Sequence, residues 1–445
     1  MVGISNIGAE AQKVNSVKAE KEAFFCTTKE LSRLGLEQIP TQFQSHKHLI
    51  YSSPATLAFN SPGAEGFGVK RAGLAVPDSI MLIVAPGCCG RNTSLISSMK
   101  EYNDRFYYLM MDETDIVTGR HLKKIPKAVE EICSVCPKKP SVVMICITCV
   151  DALLGTDMER VCKKAEERVE IPVRPCYMYA LTREGRKPPM VHVRQSLYSL
   201  LEPGKKKGNV VNLLGFFSPL VGDCEIYDLL HSAGVKTIHE ISRCKDYMEY
   251  QTMSEANFNL VLHHEARFAA EDFHNRLQIP FIELRRLYQI DKIENQYHAL
   301  GNALGVAFYD EKYKKQAEDA LEKFRQKCPD ASFAIGECLN ADPFELSLAL
   351  IRYGFSVPEI YGTITVENFT YIRSLAKISP ETKVFSNMEP TMIYYDPAKS
   401  DVNLAIGKDA CYYHPDCPYV MWNGEEQPYG YAGVRRLFEQ LLEVV

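Results

Sequence analysis

The stretch that decides the fold is MLIVAPGCCG, residues 81–90. Five apolar residues run without interruption into Pro-Gly, as in a buried parallel strand that ends in a tight turn. Two adjacent cysteines and a glycine follow at the strand tip. The apolar runs FYYLMMD (106–112), SVVMICIT (141–148) and EIPVRPCYM (170–178) each come after a helical segment. This alternation predicts a doubly wound α/β unit.

The pattern recurs twice along the chain. A second set of strand-like runs follows the Gly- and Lys-rich stretch 201–209, and a third follows the amphipathic stretch 291–328, which we predict to be helical throughout. We therefore predict an α/β protein of three Rossmann-like doubly wound domains with parallel sheets. The predicted divisions are an N-terminal extension and three domains, at 1–50, 51–205, 206–325 and 326–445.

Composition narrows the setting. The chain has 445 residues, 46% of them hydrophobic and 24% charged, with a net charge of −5. These values are typical of globular domains and give no reason to expect nucleic acid. No apolar run approaches the ~20 residues that span a bilayer, and the N-terminus lacks a signal-peptide pattern. We therefore expect a cytoplasmic protein, in which disulfides are unlikely, and the odd total of 15 cysteines also argues against a full disulfide framework.

Ligands of doubly wound sheets gather at the carboxyl ends of the strands. Three segments fall there: Cys88-Cys89 after the first strand, Cys149 after SVVMICIT, and His263-His264 after FNLVL. Thiolates favour iron–sulfur clusters, zinc and copper. A Gly-rich phosphate loop is the weaker interpretation of APGCCG, because no G-x-x-x-x-G-K-[ST] motif occurs in the chain.

Other cysteine groups allow further metal sites. The pairs CSVC (133–136) and CITC (146–149) resemble zinc-ribbon spacing, but Cys133 and Cys136 are predicted to close a helix and Cys146 to face the core. The segment CYYHPDC (411–417) is either a metal site or a loop, and we favour the loop. The sequence leaves open whether Cys26, Cys133, Cys136, Cys146, Cys411 or Cys417 binds metal.

The segment ITCVDALLGTDMERV (147–161) resembles a cluster-binding segment of the nitrogenase component 1 family, with Cys149 at the cluster cysteine. APGCCG resembles a second cluster segment, in which Cys89 is the ligand, Gly90 follows it and Cys88 is its neighbour. The stretches LLGFFSPLVGDCEIYDLLHSAGV (213–235) and YGYAGVRRLFEQLL (429–442) resemble the start of the family's second domain and its closing helix. The resemblance spans most of residues 55–445.

This resemblance implies an iron–sulfur cluster shared between two homologous subunits. Cys89 and Cys149 from each chain would supply four thiolates for one [4Fe–4S] cluster, with Cys88 replacing or supplementing Cys89. The implied partners are a second copy or a homologous subunit, and a separate ATP-hydrolysing iron–sulfur reductase. An additional metallocofactor of unknown type is also consistent with the family.

The chain departs from the nitrogenase subunits at three positions. A further cluster cysteine of those subunits falls on Gly63, their cofactor cysteine aligns with His264, and their cofactor histidine falls near Trp422. These differences argue against nitrogen fixation with the standard cofactor.

Three hypotheses for function remain at this stage. The first is a nitrogenase-like oxidoreductase subunit that reduces a bound substrate or metallocofactor, with His264 as the catalytic candidate, near His263, Glu265 and Arg267. The second is a non-catalytic scaffold for assembly of a nitrogenase-type metallocluster. The third is a zinc-stabilised sugar- or nucleotide-binding protein.

Overall fold

The computed structural model describes residues 22–44, 68–87, 101–178 and 187–445. The strand β1 (Phe25–Thr27) opens the described chain and belongs to the last of three sheets. The first sheet has the order β3-β2-β4-β5 and is parallel throughout. Its strands are β2 (Ile80–Ala85), β3 (Phe106–Met110), β4 (Val143–Ile147) and β5 (Val173–Tyr177).

The second sheet is also parallel, in the order β7-β6-β8-β9. Its strands are β6 (Val210–Leu214), β7 (Thr237–His239), β8 (Phe258–Val261) and β9 (Phe281–Glu283). The third sheet has the order β1-β12-β11-β10-β13-β14. Its later strands are β10 (Ser332–Ile335), β11 (Ser356–Tyr361), β12 (Lys383–Phe385), β13 (Leu404–Ile406) and β14 (Tyr419–Val420).

Helices cover these sheets. Those around the first sheet are Val69–Gly73, Glu113–Thr118, His121–Val135, Cys149–Leu154, Met158–Val169 and Pro189–Tyr198. The next helices along the chain are Glu225–Ser232, Tyr247–Gln251, Arg267–Leu277, Ile290–Leu304 and Glu311–Lys327. The remaining helices are Thr28–Leu34, Pro343–Arg352, Phe369–Ile378, Lys408–Tyr413 and Gly430–Val444. None of the described helices is both long and apolar enough to cross a membrane.

Apolar strands buried on both faces explain why the parallel sheets form. All six residues of β2 are buried, as expected for a central strand with helices on both sides. Odd and even positions of β4 enter different cores: Ile145 faces one and Cys146 the other. A larger core joins the second and third sheets, and Phe438 of the C-terminal helix packs there against Phe324 at 5.6 Å between ring centroids.

Two features differ from the sequence expectations or add to them. The prediction of one continuous helix over 291–328 is wrong, because Gly305 adopts φ 70° and ends the first helix before a second begins at Glu311. Part of the N-terminal extension forms β1, which pairs antiparallel with β12 in the third sheet. The domain boundaries at residues 50, 205 and 325 stay a prediction.

The start of the C-terminal helix depends on a buried carboxylate. Glu225 accepts the backbone N–H groups of Tyr431 at 2.6 Å and Ala432 at 3.0 Å, and the Tyr297 hydroxyl at 2.6 Å. We expect Glu225→Ala to lower the free energy of unfolding by roughly 2–4 kcal/mol, because these buried donors lose their acceptor. Urea unfolding measures this. Glu439→Ala, an exposed site on the same helix, serves as the control, and equal midpoints for the two variants would contradict the expectation.

Candidate functional site

A cleft of about 730 Å³ lies where the second and third sheets present the carboxyl ends of their strands. Its walls come from the segments that follow β6, β8, β9, β10 and β11, namely 216–218, 262–265, 284–286, 337–343 and 363–371. Arg71, Met190 and Arg194 close it from the first sheet, and residues 423–427 form part of its rim. The second sheet reverses its strand order between β6 and β8, which is where such folds bind ligands.

A close backbone approach brings the ends of β6 and β8 together. Gly215, directly after β6, has φ 146°, and a Cβ there would lie 2.8 Å from the backbone nitrogen of His263. A glycine is required because any side chain would push the two strand ends apart. This close approach fixes the backbone position of His263 and of His264, which follows it.

Arg194 ties the first sheet's helix to both strand ends. Its guanidinium donates to the Gly215 carbonyl at 2.6 Å and 3.2 Å, and forms an ion pair with Glu265 at 2.8 Å. Its side chain is only 5% exposed. Burial lowers the pKa of Arg194, while the nearby Glu265 carboxylate opposes that shift.

The two histidines stack face to face inside the cleft. Their ring centroids are 4.4 Å apart at an interplanar angle of 30°. The Nδ1 atom of His263 accepts the Glu265 backbone N–H at 3.4 Å. Burial, then the charge of Arg194, holds the pKa of His263 well below its ordinary value, so this imidazole is neutral near pH 7. His264 is exposed to the cleft.

Two carboxyl groups that line the same cleft have raised pKa values. Burial raises the pKa of Glu337 to about 7 and that of Asp342 to about 6. Glu337 accepts the Thr363 backbone N–H at 2.9 Å and a short hydrogen bond from the Thr363 hydroxyl. Asp409 lies behind it and accepts the Glu337 backbone N–H at 2.8 Å. The cleft thus combines a neutral imidazole with acids that exchange protons near neutrality.

A second predicted site lies at the carboxyl edge of the first sheet. β2 and β4 are neighbours there, with Val84 opposite Ile147, and the helix Cys149–Leu154 begins directly after β4. Cys88, Cys89 and Gly90 lie outside the described residues, as does the side chain of Cys149. His121 anchors this helix from behind, since its Nε2 lies 2.9 Å from Asp151 Oδ1 and both side chains are buried.

The alternative metal sites are not brought together. Cys146 packs on one face of the first sheet, whereas Cys133 and Cys136 pack on the other. In 411–417, His414 contacts Glu359 at 3.1 Å, whereas the Cys417 thiol donates to the Val402 carbonyl. Cys26 lies in β1, away from the first sheet. In the described ranges, no group of three or more His, Cys, Asp or Glu side chains is arranged to hold a metal ion.

Sequence reasoning found the histidine pair but missed Arg194 and the acids. Arg194 lies within a helix, and no local pattern indicates that it reaches a carbonyl 21 residues further along the chain. Glu337 could have been found, because it follows the apolar run SFAIG at a strand end.

Comparisons with known proteins agree with this architecture. Residues 65–445 match the family described as nitrogenase component 1 type oxidoreductase. Over 418 residues the chain is 25% identical to the nitrogenase iron-molybdenum cofactor biosynthesis protein NifE of Sinorhizobium fredii and 26% identical to that of Mesorhizobium japonicum. Each alignment covers 88% of this chain and 82% of the relative.

A solved structure titled "Nitrogenase Cp1 at pH 6.5" superposes with a TM-score of 0.68 at 18% identity, covering 89% of this chain and 92% of that one. The family resemblance and the α/β fold expected from the sequence are therefore confirmed. The roles of Cys88, Cys89, Gly90, Cys149 and His264 stay predictions.

We expect Arg194→Met to lower the free energy of unfolding by roughly 2–4 kcal/mol, because it leaves Glu265 unpaired and removes the donors to Gly215. Urea unfolding measures the loss. The double variant Arg194→Met/Glu265→Gln should recover part of it, since no unpaired carboxylate remains. A single variant as stable as the wild type would show that the ion pair does not hold the cleft together.

The contribution of Glu337 to stability should fall as the pH rises from about 5 to about 7. The folded-state pKa of Glu337 is about 7 against an ordinary value of 4.5, so the unfolded chain binds fewer protons in this window. Glu337→Gln keeps an acceptor for Thr363 and should make the decline in melting temperature shallower. Asp342 and Glu345, with pKa values of about 6 and about 7, preserve part of the slope.

The matched control for this test is Glu367→Gln, an exposed residue of the same cleft, which should leave the slope unchanged. Equal slopes for Glu337→Gln and the wild type would refute the assignment.

Proposed function

Because the chain belongs to the nitrogenase component 1 type oxidoreductase family, we propose that it is a subunit on which a metallocluster is assembled and handed on. We call this metallocluster the cargo and place it in the cleft beside His263 and His264. Both relatives are named as cofactor biosynthesis proteins, which favours this role over nitrogen reduction.

The observation that carries the proposal is the combination of imidazole and guanidinium groups at the switch point of the second sheet. A neutral imidazole nitrogen is a ligand for iron, and the ring of His264 is exposed to the cleft. Five arginines and two histidines line the cleft, and three of the arginines pair with its glutamates. Arg285 and Arg286 have no such pair among the described residues and suit an anionic cluster, because guanidinium groups donate several hydrogen bonds and stay charged. Phe216 and Phe217 limit the water around it.

We further propose a resident [4Fe–4S] cluster between two subunits, held by Cys89 and Cys149 of each, with Cys88 as substitute or supplement. Gly90 has no side chain that would crowd a cluster held by Cys89. One buried polar atom next to Cys149 fits such a cluster: Thr148 Oγ1 has no hydrogen-bond partner among the described residues. The Thr148 hydroxyl would donate a hydrogen bond to a sulfide of the cluster. The cluster would supply one-electron transfer, and the partner subunit is a second copy or a homologue.

A second candidate is a reductase that accepts electrons from an ATP-hydrolysing iron–sulfur protein and reduces a substrate or metallocofactor in the cleft. The raised pKa values of Glu337 and Asp342 favour it, because reduction consumes protons and both groups supply them near neutral pH. His264 would then protonate the reduced intermediate. In either role we propose a cytoplasmic protein, in keeping with free thiols at the twelve cysteines whose side chains are described.

Anaerobic purification followed by iron, sulfide and zinc analysis tests the two metal sites. We expect about four irons and four sulfides per dimer at the interface, plus additional iron as cargo. Cys149→Ala should abolish the electron paramagnetic resonance signal of the reduced interface cluster, whereas Cys133→Ala should retain it. Zinc, or no metal at all, would refute the proposal.

A second pair of variants separates cargo from interface cluster. His264→Ala should lose the iron above four per dimer and keep the interface signal. His274→Ala, an exposed histidine on the helix that follows, should keep both. Transfer of the additional iron to a metal-free acceptor subunit without turnover supports the scaffold, and turnover with a reductase supports the second candidate.

A further inference from the structure

Two neighbouring phenylalanines at the end of β6 each carry an arginine over the ring. The Arg194 guanidinium lies 4.7 Å from the Phe217 centroid, and that of Arg286 lies 4.4 Å from the Phe216 centroid. The two arginines differ in their counter-charge. Arg194 is neutralised by Glu265, whereas Arg286 forms no ion pair with any described carboxylate. Arg194 therefore has both an aromatic ring and a carboxylate partner, whereas Arg286 has the aromatic ring but no carboxylate partner among the described residues.

The polar contacts of Arg286 leave part of its guanidinium unused. One terminal nitrogen donates to Gln427 Oε1 at 2.7 Å. Its Nε is shut off from solvent and has no hydrogen-bond partner in the described part of the chain. Burial lowers the pKa of Arg286, and the groups that oppose this shift are the phenols Tyr288 and Tyr429. Arg286 is half-buried, and a partly desolvated cation without a carboxylate is costly, so an anion at this position would be stabilising.

The acids that line the cleft do not supply this anion. Glu265, Glu283 and Glu425 pair with Arg194, Arg267 and Arg71, respectively. Asp342 caps the helix Pro343–Arg352, Glu337 binds Thr363, and Glu367 is exposed. None of these acids forms an ion pair with Arg286, so its guanidinium is open to a bound anion.

Ser218 provides a second, independent sign of a ligand. Its side chain lines the same cleft two residues after Phe216, and the residue is only 4% exposed. Its hydroxyl is buried and has no hydrogen-bond partner among the described residues. Buried polar atoms are rarely left unpaired in native proteins, so an unpaired hydroxyl and an unpaired guanidinium N–H that line one cleft indicate a missing acceptor.

We propose that Arg286 and Ser218 form an anion subsite that binds a carboxylate or another oxyanion group. The subsite adjoins the histidine pair, because the Phe216 ring, which stacks on Arg286, contacts the His263 ring in a T-shaped arrangement at 5.7 Å between centroids. That this group belongs to the cargo rests on the proposed function. Anion binding itself requires no metal, so the two can be tested separately.

The test uses the full chain from a host that makes no such cofactor. Malonate and inorganic phosphate are titrated by calorimetry at constant ionic strength, with chloride as the reference. We expect at least one of the two anions to bind above the chloride background, and Arg286→Gln to weaken it by about tenfold or more. Ser218→Ala should weaken binding less. Arg168→Gln, an exposed arginine that pairs with Glu130 and does not line the cleft, should leave it unchanged.

Arg286→Lys keeps the positive charge and guards against a folding defect in Arg286→Gln. It should bind the anion severalfold more weakly than the wild type, because an ammonium cannot form two parallel hydrogen bonds to a carboxylate. Preference for malonate identifies a carboxylate group, and preference for phosphate identifies a tetrahedral oxyanion. No binding above chloride, or equal binding by Arg286→Gln and the wild type, overturns the subsite.

The outcomes also separate the subsite from the proposed function. A protein that binds malonate through Arg286 but never acquires iron would keep the subsite and refute the cargo. A protein that acquires iron dependent on His264, but binds neither anion, would keep the cargo and refute the subsite.

Discussion

The buried contact of Arg194 with the Gly215 carbonyl and the Glu265 carboxylate is the constraint on which the cleft depends. It joins a helix of the first sheet to the ends of β6 and β8 in the second. Gly215 lets those strand ends approach, and Arg194 satisfies the carbonyl that the approach leaves inside the protein. His263 and His264 come shortly after β8 in the chain, so their position is set by these backbone contacts rather than by their own side chains.

The same arginine sets the electrostatics of the site. Its charge adds to burial in keeping His263 neutral, while its ion pair with Glu265 prevents a large net charge beside the imidazoles. The cleft therefore has a neutral imidazole, acids that titrate near pH 7, and two guanidinium groups, those of Arg285 and Arg286, that form no ion pair with a described carboxylate. Such a balance suits a bulky anionic ligand better than a small neutral metabolite.

Much of this architecture could be predicted from local sequence. Continuous apolar runs such as that of β2 identify buried parallel strands, and the polar residues after them, including His263 and His264, fall at the ligand-binding edge. The break at Gly305 was missed because the amphipathic pattern continues on both sides of it.

Contacts between distant segments could not be predicted in this way. The pairing of β1 with β12 joins residues more than 350 positions apart, and Arg194 reaches Glu265 across 71 positions. Conversely, a short distance in sequence does not guarantee contact. CSVC and CITC have zinc-like spacing, yet Cys146 lies on one face of the first sheet and Cys133 and Cys136 lie on the other, because strand side chains alternate.

The central claim is that the cleft beside His264 holds a metallocluster. Anomalous diffraction at the iron absorption edge, from crystals of the anaerobically purified complex, tests it most directly. Our account predicts iron peaks in the cleft next to His264, in addition to peaks at the tip of β4 near Cys149. Iron only near Cys149, with the cleft empty of metal in every subunit, would contradict it.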